Sequence, residues 1–189
     1  MDNQKFQRHR LVLAYHGCDQ SVADEVLIKG KQLEQSENSY DWLGKGIYFW
    51  EHGPQRAREW AEKHPDISNP AVVGAVINLG NCFDLFDTHA VRVLSKLYPL
   101  FKESYEKLGA PLPVNEAGYA GDKDSLKRHL DCAVINWILK KKTVPNYDSV
   151  RGLFPEGEPV FEGSSIKAKS HIQIAVRNTS CVLGYFRPA

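Results

Sequence analysis

Apolar residues change their spacing several times along the chain, and each change marks an element. Residues 10–15 (Arg-Leu-Val-Leu-Ala-Tyr) are a short apolar run with β-branched and aromatic members that ends at His16-Gly17. That predicts a buried strand entering a turn, with His16 at its end. Ser21 can cap a helix through Val22, Val26 and Leu27, with Asp24 and Glu25 in its first turn and Gly30 placed to end it. After a polar, turn-rich stretch from Gln32 to Asp41, Gly44-Lys45-Gly46 leads into Ile47-Tyr48-Phe49-Trp50. A glycine loop therefore feeds a second strand. Pro54 suits a first helical turn, and Ala57, Trp60 and Ala61 recur at helical spacing through Lys63. Residues 71–79 read as a third strand.

The middle of the chain is helical. Val93, Leu94, Leu97, Leu100, Phe101, Tyr105 and Leu108 predict a helix over 89–108, which Pro99 should kink or split. Leu126, Leu130, Ala133, Val134, Trp137 and Ile138 share one side of a stronger helix predicted over 125–142, and residues 109–123 join the two as a loop. After Pro145 the pattern is β-type: residues 147–154, 172–176 and 181–186 are separated by turns rich in Pro, Gly, Glu and Asn. No repeat, low-complexity tract or flexible linker interrupts the 189 residues, so a single domain is expected.

Composition changes this picture little. An apolar content of 42% with 25% charged residues suits a folded globular chain rather than a disordered one. A formal charge of +1 gives the whole molecule no strong pull toward nucleic acid or anionic membrane, so partners have to be argued locally. The run Lys140-Lys141-Lys142 is explained by a solvated helix end. Cys18, Cys82, Cys132 and Cys181 show no Cys-x-x-Cys spacing and read as free buried thiols. The start of the chain has no signal-like pattern, and no apolar run approaches membrane-spanning length. The expectation is a cytoplasmic protein with no membrane partner and no metal.

Tyr15-His16-Gly17, then Leu43-Gly44-Lys45-Gly46-Ile47-Tyr48-Phe49, then a helix with Ala57 and Trp60, then a terminal strand pair, carry the candidate chemistry. In order and approximate spacing they resemble the catalytic domain of poly(ADP-ribose) polymerase-like ADP-ribosyltransferases, the diphtheria-toxin-like His-Tyr-Glu class. The resemblance covers nearly the whole chain, and the Leu-Gly-Lys-Gly-Ile-Tyr-Phe block is its specific part. The helices of residues 89–142 look like an insertion particular to this branch. The implied fold is α+β: a split sandwich of two small antiparallel sheets, surrounded by helices, with NAD⁺ held in the cleft.

The resemblance also implies roles. His16 would hydrogen-bond a ribose hydroxyl of NAD⁺, Gly17 would let its backbone approach the nicotinamide carboxamide, and Gly46 would lie in the same cofactor-binding block. Tyr48 would stack on the cationic nicotinamide ring. Trp60 stands one position from the register in which the family places a second aromatic wall, and core packing explains it equally. Taken alone, His16 and Tyr48 read as core residues, and it is their occurrence together in the family-like blocks that points to a site. At the family's glutamate position, in Ser170-His171-Ile172-Gln173-Ile174-Ala175-Val176, stands Gln173. An amide can orient a ribose hydroxyl but offers no charge and takes no proton, so polymer elongation is not expected. Glu162, from the preceding loop, could supply the missing carboxylate or could be an ordinary surface residue; Glu51 is expected on the rim.

The implied activity is mono-ADP-ribosyl transfer from NAD⁺ to a protein or nucleic-acid acceptor, with release of nicotinamide. Two alternatives remain at this stage. One is NAD⁺-dependent removal of an RNA 2′-phosphate, for which His171, Arg177 and Arg151 would grip the phosphate. The other is a non-catalytic NAD⁺- or ADP-ribose-binding module, motivated by Gln173. Small transferases of this type resemble bacterial toxins and defence effectors, which often travel with a neutralising partner protein.

Overall fold

In the computed structural model, which describes residues 10–189, the apolar run after Arg10 becomes strand β1 (Leu11–Asp19). The reading of the first residues as free of a targeting signal lies outside the described residues. β1 pairs antiparallel with β3 (Pro70–Asn78) along its whole length, from Leu11 opposite Asn78 to Asp19 opposite Pro70. Its other edge is different. β2 (Ile47–Glu51) meets β1 only at Ala14 opposite Glu51 and Tyr15 opposite Trp50. β2 then pairs on its far side with β6 (His171–Val176), from Ile47 opposite Val176 to Trp50 opposite Gln173.

The outer strands are unequally shared, two beyond β6 and one beyond β3. β4 (Cys82–Asp84), β5 (Ser149–Phe154) and β7 (Val182–Phe186) complete the order β4-β5-β6-β2-β1-β3-β7. The expected pair of small antiparallel sheets is corrected to one mixed seven-stranded sheet. The short β1–β2 ladder joins the halves, and β4 runs parallel to β5. With three residues, β4 is too short to show an alternating pattern.

Alternation along the strands gives the sheet two unlike faces. Ile47 and Phe49 on β2, with Ile174 and Val176 on β6, join Ala14, Val73, Ala75 and Ile77 in the main core. Helix α1 (Gln20–Leu27) closes that core with Ala23 and Val26. Its cap is Asp19 rather than Ser21, because the Asp19 carboxylate accepts from the Ser21 N–H at 3.0 Å. On the opposite face Tyr48 and Ala175 pack with Phe83, Val150 and Phe154 in a second core. Ala90 of α3 (Thr88–Lys107) and Ile135 of α4 (His129–Leu139) cover it.

Helix α3 runs through Pro99 as one element instead of splitting. A proline inside a helix forfeits a backbone hydrogen bond, and here Leu94, Leu97, Tyr98 and Phe101 pack against Val134 and Ile138 of α4 on both sides of the fault. Helix α4 starts later than its apolar periodicity predicts. The Asp122 carboxylate accepts from the N–H groups of Gly118, Asp124 and Leu126, and Ser125 sits at φ 52°. That side-chain-to-backbone turn competes with the helix and holds residues 118–126 as a loop. After Leu139 the Lys run leaves the helix, and the Lys141 ammonium folds over the Trp137 ring at 3.6 Å.

All four cysteines are unpaired thiols. Burial pushes Cys18, Cys82 and Cys132 up to about 11, which makes them poor nucleophiles. No described helix is long and apolar enough to cross a membrane.

Helix α2 (Pro54–Lys63) lies against β1 at Gly17, where a Cβ would stand 2.2 Å from the Ala57 carbonyl oxygen and 3.3 Å from the Ala61 side chain. Gly17→Ala is therefore expected to destabilise the protein by about 2 kcal/mol or more, as overpacking against backbone does. Gly184→Ala, where nothing lies within 4 Å of the added methyl, should change stability by less than about 0.5 kcal/mol. Urea denaturation of the two variants measures the contrast; equal midpoints would contradict the close α2–β1 contact.

Candidate functional site

The two central strands part just beyond Tyr15 and Trp50. Continuing their register would set Gly17 against Tyr48, but the Tyr48 carbonyl instead accepts from His16 Nδ1 at 2.7 Å. A carbonyl oxygen only accepts, so Nδ1 carries the proton. Burial lowers the His16 pKa from 6.5 despite that bond, which keeps the ring neutral at neutral pH and leaves a lone pair on Nε2. The ring rests edge-on against Phe49, with centroids 5.8 Å apart. The gap opens into a cleft of about 700 Å³, a volume typical of small-molecule sites.

One wall is the face of β2 and β6 opposite the main core. Tyr48 and Trp50 line it, with His171 and Gln173 alongside on β6. The Tyr48 hydroxyl is not free for a ligand: it accepts from the Leu43 N–H at 2.8 Å and donates to the Gly44 carbonyl at 2.7 Å. Desolvation pushes its pKa well above 10, so it keeps its proton. What Tyr48 gives the cleft is therefore its ring, while its hydroxyl ties down the Leu43-Gly44-Lys45-Gly46 loop. Gly46 itself does not line the cleft. A Cβ there would lie 3.0 Å from the Ala175 and Val176 backbone, so its glycine lets the loop enter the β2–β6 pairing.

The opposite wall is α2. Arg56, Glu59, Trp60 and Lys63 recur at helical spacing on the face turned to the cleft. Trp60 is 41% exposed and lies 5.7 Å from Trp50 and 4.7 Å from the ring of His64. It is a cleft residue, not a core residue. Gly17 lines the cleft with its backbone. The space its missing Cβ leaves, however, is taken by Ala57 of α2 rather than offered to a ligand.

At the third position Gln173 does line the cleft, and its Nε2 lies 3.1 Å from His171 Nε2. His171 Nδ1 lies 2.7 Å from the Lys169 carbonyl. Burial, reinforced by Arg56 and Arg128 and opposed by that carbonyl bond, pushes the His171 pKa down to about 4. Glu162 is exposed on the loop between β5 and β6 and does not reach the cleft, because the hairpin of residues 159–167 carries it outward. Of the glutamates in that loop, the one that lines the cleft is Glu156, bound to Arg56 Nη2 at 3.0 Å and 3.7 Å from His171 Nδ1. Arg56 also donates from Nη1 to Glu59 at 2.6 Å, and that bond, ahead of desolvation, lowers the Glu59 pKa. Glu51 is not on the rim: Arg151 holds it with two bonds of 2.5 and 2.8 Å and also contacts Asp84.

The structure thus brings His16, Gly17, Tyr48, Trp60 and Gln173 into one cleft and leaves Gly46 and Glu162 outside it. Sequence reasoning missed Arg56, Glu59, Glu156 and Trp50. The first two share the helical face of Trp60, a signal the spacing contained. Glu156, between Pro155 and Gly157, reads as a turn residue and gave no signal. Among the described residues no group of three His, Cys, Asp or Glu side chains is arranged to hold a metal ion. The buried Trp50 Nε1 and Arg56 Nε groups have no hydrogen-bond partner among them either.

A histidine that titrates at about 4 when folded and near 6.5 when unfolded makes the unfolded chain bind more protons between those values. Stability should therefore fall as pH drops from about 6.5 to about 4, by on the order of 3 kcal/mol from this residue. His171→Phe removes that contribution. The stability difference between wild type and variant should shift by about this amount, in the variant's favour, between pH 7 and pH 4. A pH-independent difference in urea unfolding would contradict a buried neutral His171.

No protein-family model matches the chain. The uncharacterized protein MJ0359 of the archaeon Methanocaldococcus jannaschii is 26% identical over 195 residues, covering 89% of this chain and 83% of the archaeal protein. The similarity therefore runs through both halves of the sheet and the cleft between them.

Proposed function

We propose that the protein is an NAD⁺-dependent mono-ADP-ribosyltransferase built on the ADP-ribosyltransferase fold. One observation carries the reading. Five residues singled out from the sequence as an NAD⁺ site come from β1, β2, α2 and β6, and all five line a single cleft at the point where the sheet parts. Residues spread over more than 150 positions have no reason to converge if each is only a core or surface residue.

On this reading nicotinamide stacks on the Tyr48 ring, with Trp60 facing it across the cleft, and aromatic faces attract its positive charge. The His16 Nε2 lone pair accepts a ribose hydroxyl, and the Gln173 amide orients another. The bond between nicotinamide N1 and ribose C1′ breaks with its electron pair going to nicotinamide, which leaves neutral. The acceptor's nucleophile then bonds to C1′. The protein's contribution is orientation of the reacting groups in the cleft. Because residue 173 is an amide, the reaction stops at a single transfer. RNA 2′-phosphate removal is less well supported, since Arg151 is engaged with Glu51 and Asp84, and Arg177 donates to the Lys45 carbonyl at 3.2 Å.

Nicotinamide release from NAD⁺, followed by chromatography with protein and oligonucleotide acceptors present, tests the proposal. His16→Ala is expected to lower turnover by about 10²-fold or more. Trp60→Ala, at an exposed position, should raise KM for NAD⁺ about tenfold without affecting folding. Glu162→Gln should stay within about twofold of wild type, being remote from the cleft. If wild-type protein in excess over NAD⁺ releases no nicotinamide in hours, the transferase reading fails.

A further inference from the structure

The hydrogen-bond arrangement of His171 and Gln173 settles which atoms of each face the cleft. The two residues lie on the same face of β6, two positions apart. His171 Nδ1 is 2.7 Å from the Lys169 carbonyl, so Nδ1 holds the ring's proton. The ring is 8% exposed and enclosed by Trp42, Trp50 and Phe154. Arg56 and Arg128 both oppose a second proton there; among the described residues Glu156, 3.7 Å from Nδ1, is the carboxylate within 4 Å of the ring nitrogens. Neutral His171 then presents only a lone pair at Nε2. Of the two ends of the Gln173 amide, only the NH₂ can satisfy a lone pair 3.1 Å away. The oxygen Oε1, to which no described residue donates, is left as the amide's contribution to the cleft.

We infer that His171 is a positioning residue that turns the Gln173 amide so that position 173 offers the cleft a hydrogen-bond acceptor and no donor, selecting a ligand hydroxyl at that point. An amide oxygen orients such a hydroxyl but is far too weak a base to take its proton. The same pairing accounts for glutamine instead of a carboxylate. A carboxylate 3.1 Å from the Nε2 lone pair would place two acceptors face to face, and the contact would need an extra proton on one of them. Residues 171 and 173 are therefore matched to each other. That the hydroxyl belongs to a ribose of NAD⁺ rests on the proposed transferase reading; the pairing itself does not.

Nitrogen-15 NMR of the full chain reads the pairing directly. His171 in the wild type is expected as the Nδ1–H tautomer at pH 7. Gln173→Glu should raise the His171 pKa by about one unit or more, since an adjacent carboxylate favours imidazolium. A wild-type Nε2–H tautomer, or an unmoved pKa in Gln173→Glu, would overturn the pairing whatever the ligand. The positioning role is read in NAD⁺ kinetics. His171→Phe and Gln173→Leu should each raise KM about five- to tenfold, the size of one hydrogen bond, with kcat little changed. The double variant should be no worse than the poorer single one, because the histidine acts through the amide. Multiplying effects would overturn the positioning role. If wild type turns over no NAD⁺ while the tautomer and the Gln173→Glu shift are as expected, the transferase reading fails and the matched pair stands.

Discussion

One hydrogen bond, from the His16 ring to the Tyr48 carbonyl, occupies the place where the two central strands would otherwise continue their ladder. The carbonyl remains satisfied, so exchanging a backbone donor for a side-chain donor costs little stability. The geometric consequence is large, because an imidazole is wider than a backbone ladder bond and its insertion keeps the strands apart. β1 goes on with β3, β2 stays with β6, and the space between them becomes the cleft. The same bond fixes the ring's tautomer, so the residue that opens the site also has its remaining nitrogen defined as an acceptor.

The cleft is polar and aromatic on the wall where the core is apolar on the reverse, and strand periodicity accounts for both. Ile47, Phe49, Ile174 and Val176 point into the main core. Tyr48, Trp50, His171 and Gln173 point the other way and line the cleft. A slip of one residue in either strand would exchange these sets, burying the polar residues and exposing the apolar ones. Gly46 guards the register by allowing the loop to enter beside Ala175, and the Tyr48 hydroxyl clamps that loop from within. The glycine-rich block is thus as much about strand pairing as about a ligand.

Much of this was legible because it rests on periodicity and short motifs. β1, β2, β3 and β6, helix α2 and the positions of His16, Tyr48 and Gln173 follow from apolar spacing and from the family-like blocks. What could not be read has physical reasons. Apolar spacing sets the start of α4 too early because the carboxylate of Asp122 captures three backbone donors, an effect invisible to a hydrophobic pattern. Sequence distance to the strand offers Glu162 as a candidate cleft carboxylate and leaves an ordinary surface residue as the alternative. The fold of the loop from residue 155 to 170 instead brings Glu156 inward and carries Glu162 out. Gly17 was read through its ligand side, whereas its missing Cβ serves the approach of α2.

The protonation states around the gap bear on how the proposed reaction would proceed there. His16 and His171 are both held neutral by burial, and the Tyr48 phenol keeps its proton far above neutrality. Gln173 does not titrate, and Glu59 and Glu156 are both bound to Arg56. Those groups are therefore fixed hydrogen-bond poles rather than proton carriers, although Glu34, Asp41 and His64 also line the cleft and burial raises the Asp41 pKa. For the proposed reaction that is sufficient up to bond cleavage, since nicotinamide departs as a neutral molecule and needs no acid. It becomes limiting only when the acceptor must lose a proton. In the cleft the carboxylate beside position 173 is Glu156, and using it as a base would require loosening its bond to Arg56. On the proposed reading, acceptors whose attacking atom carries no proton to lose avoid that step.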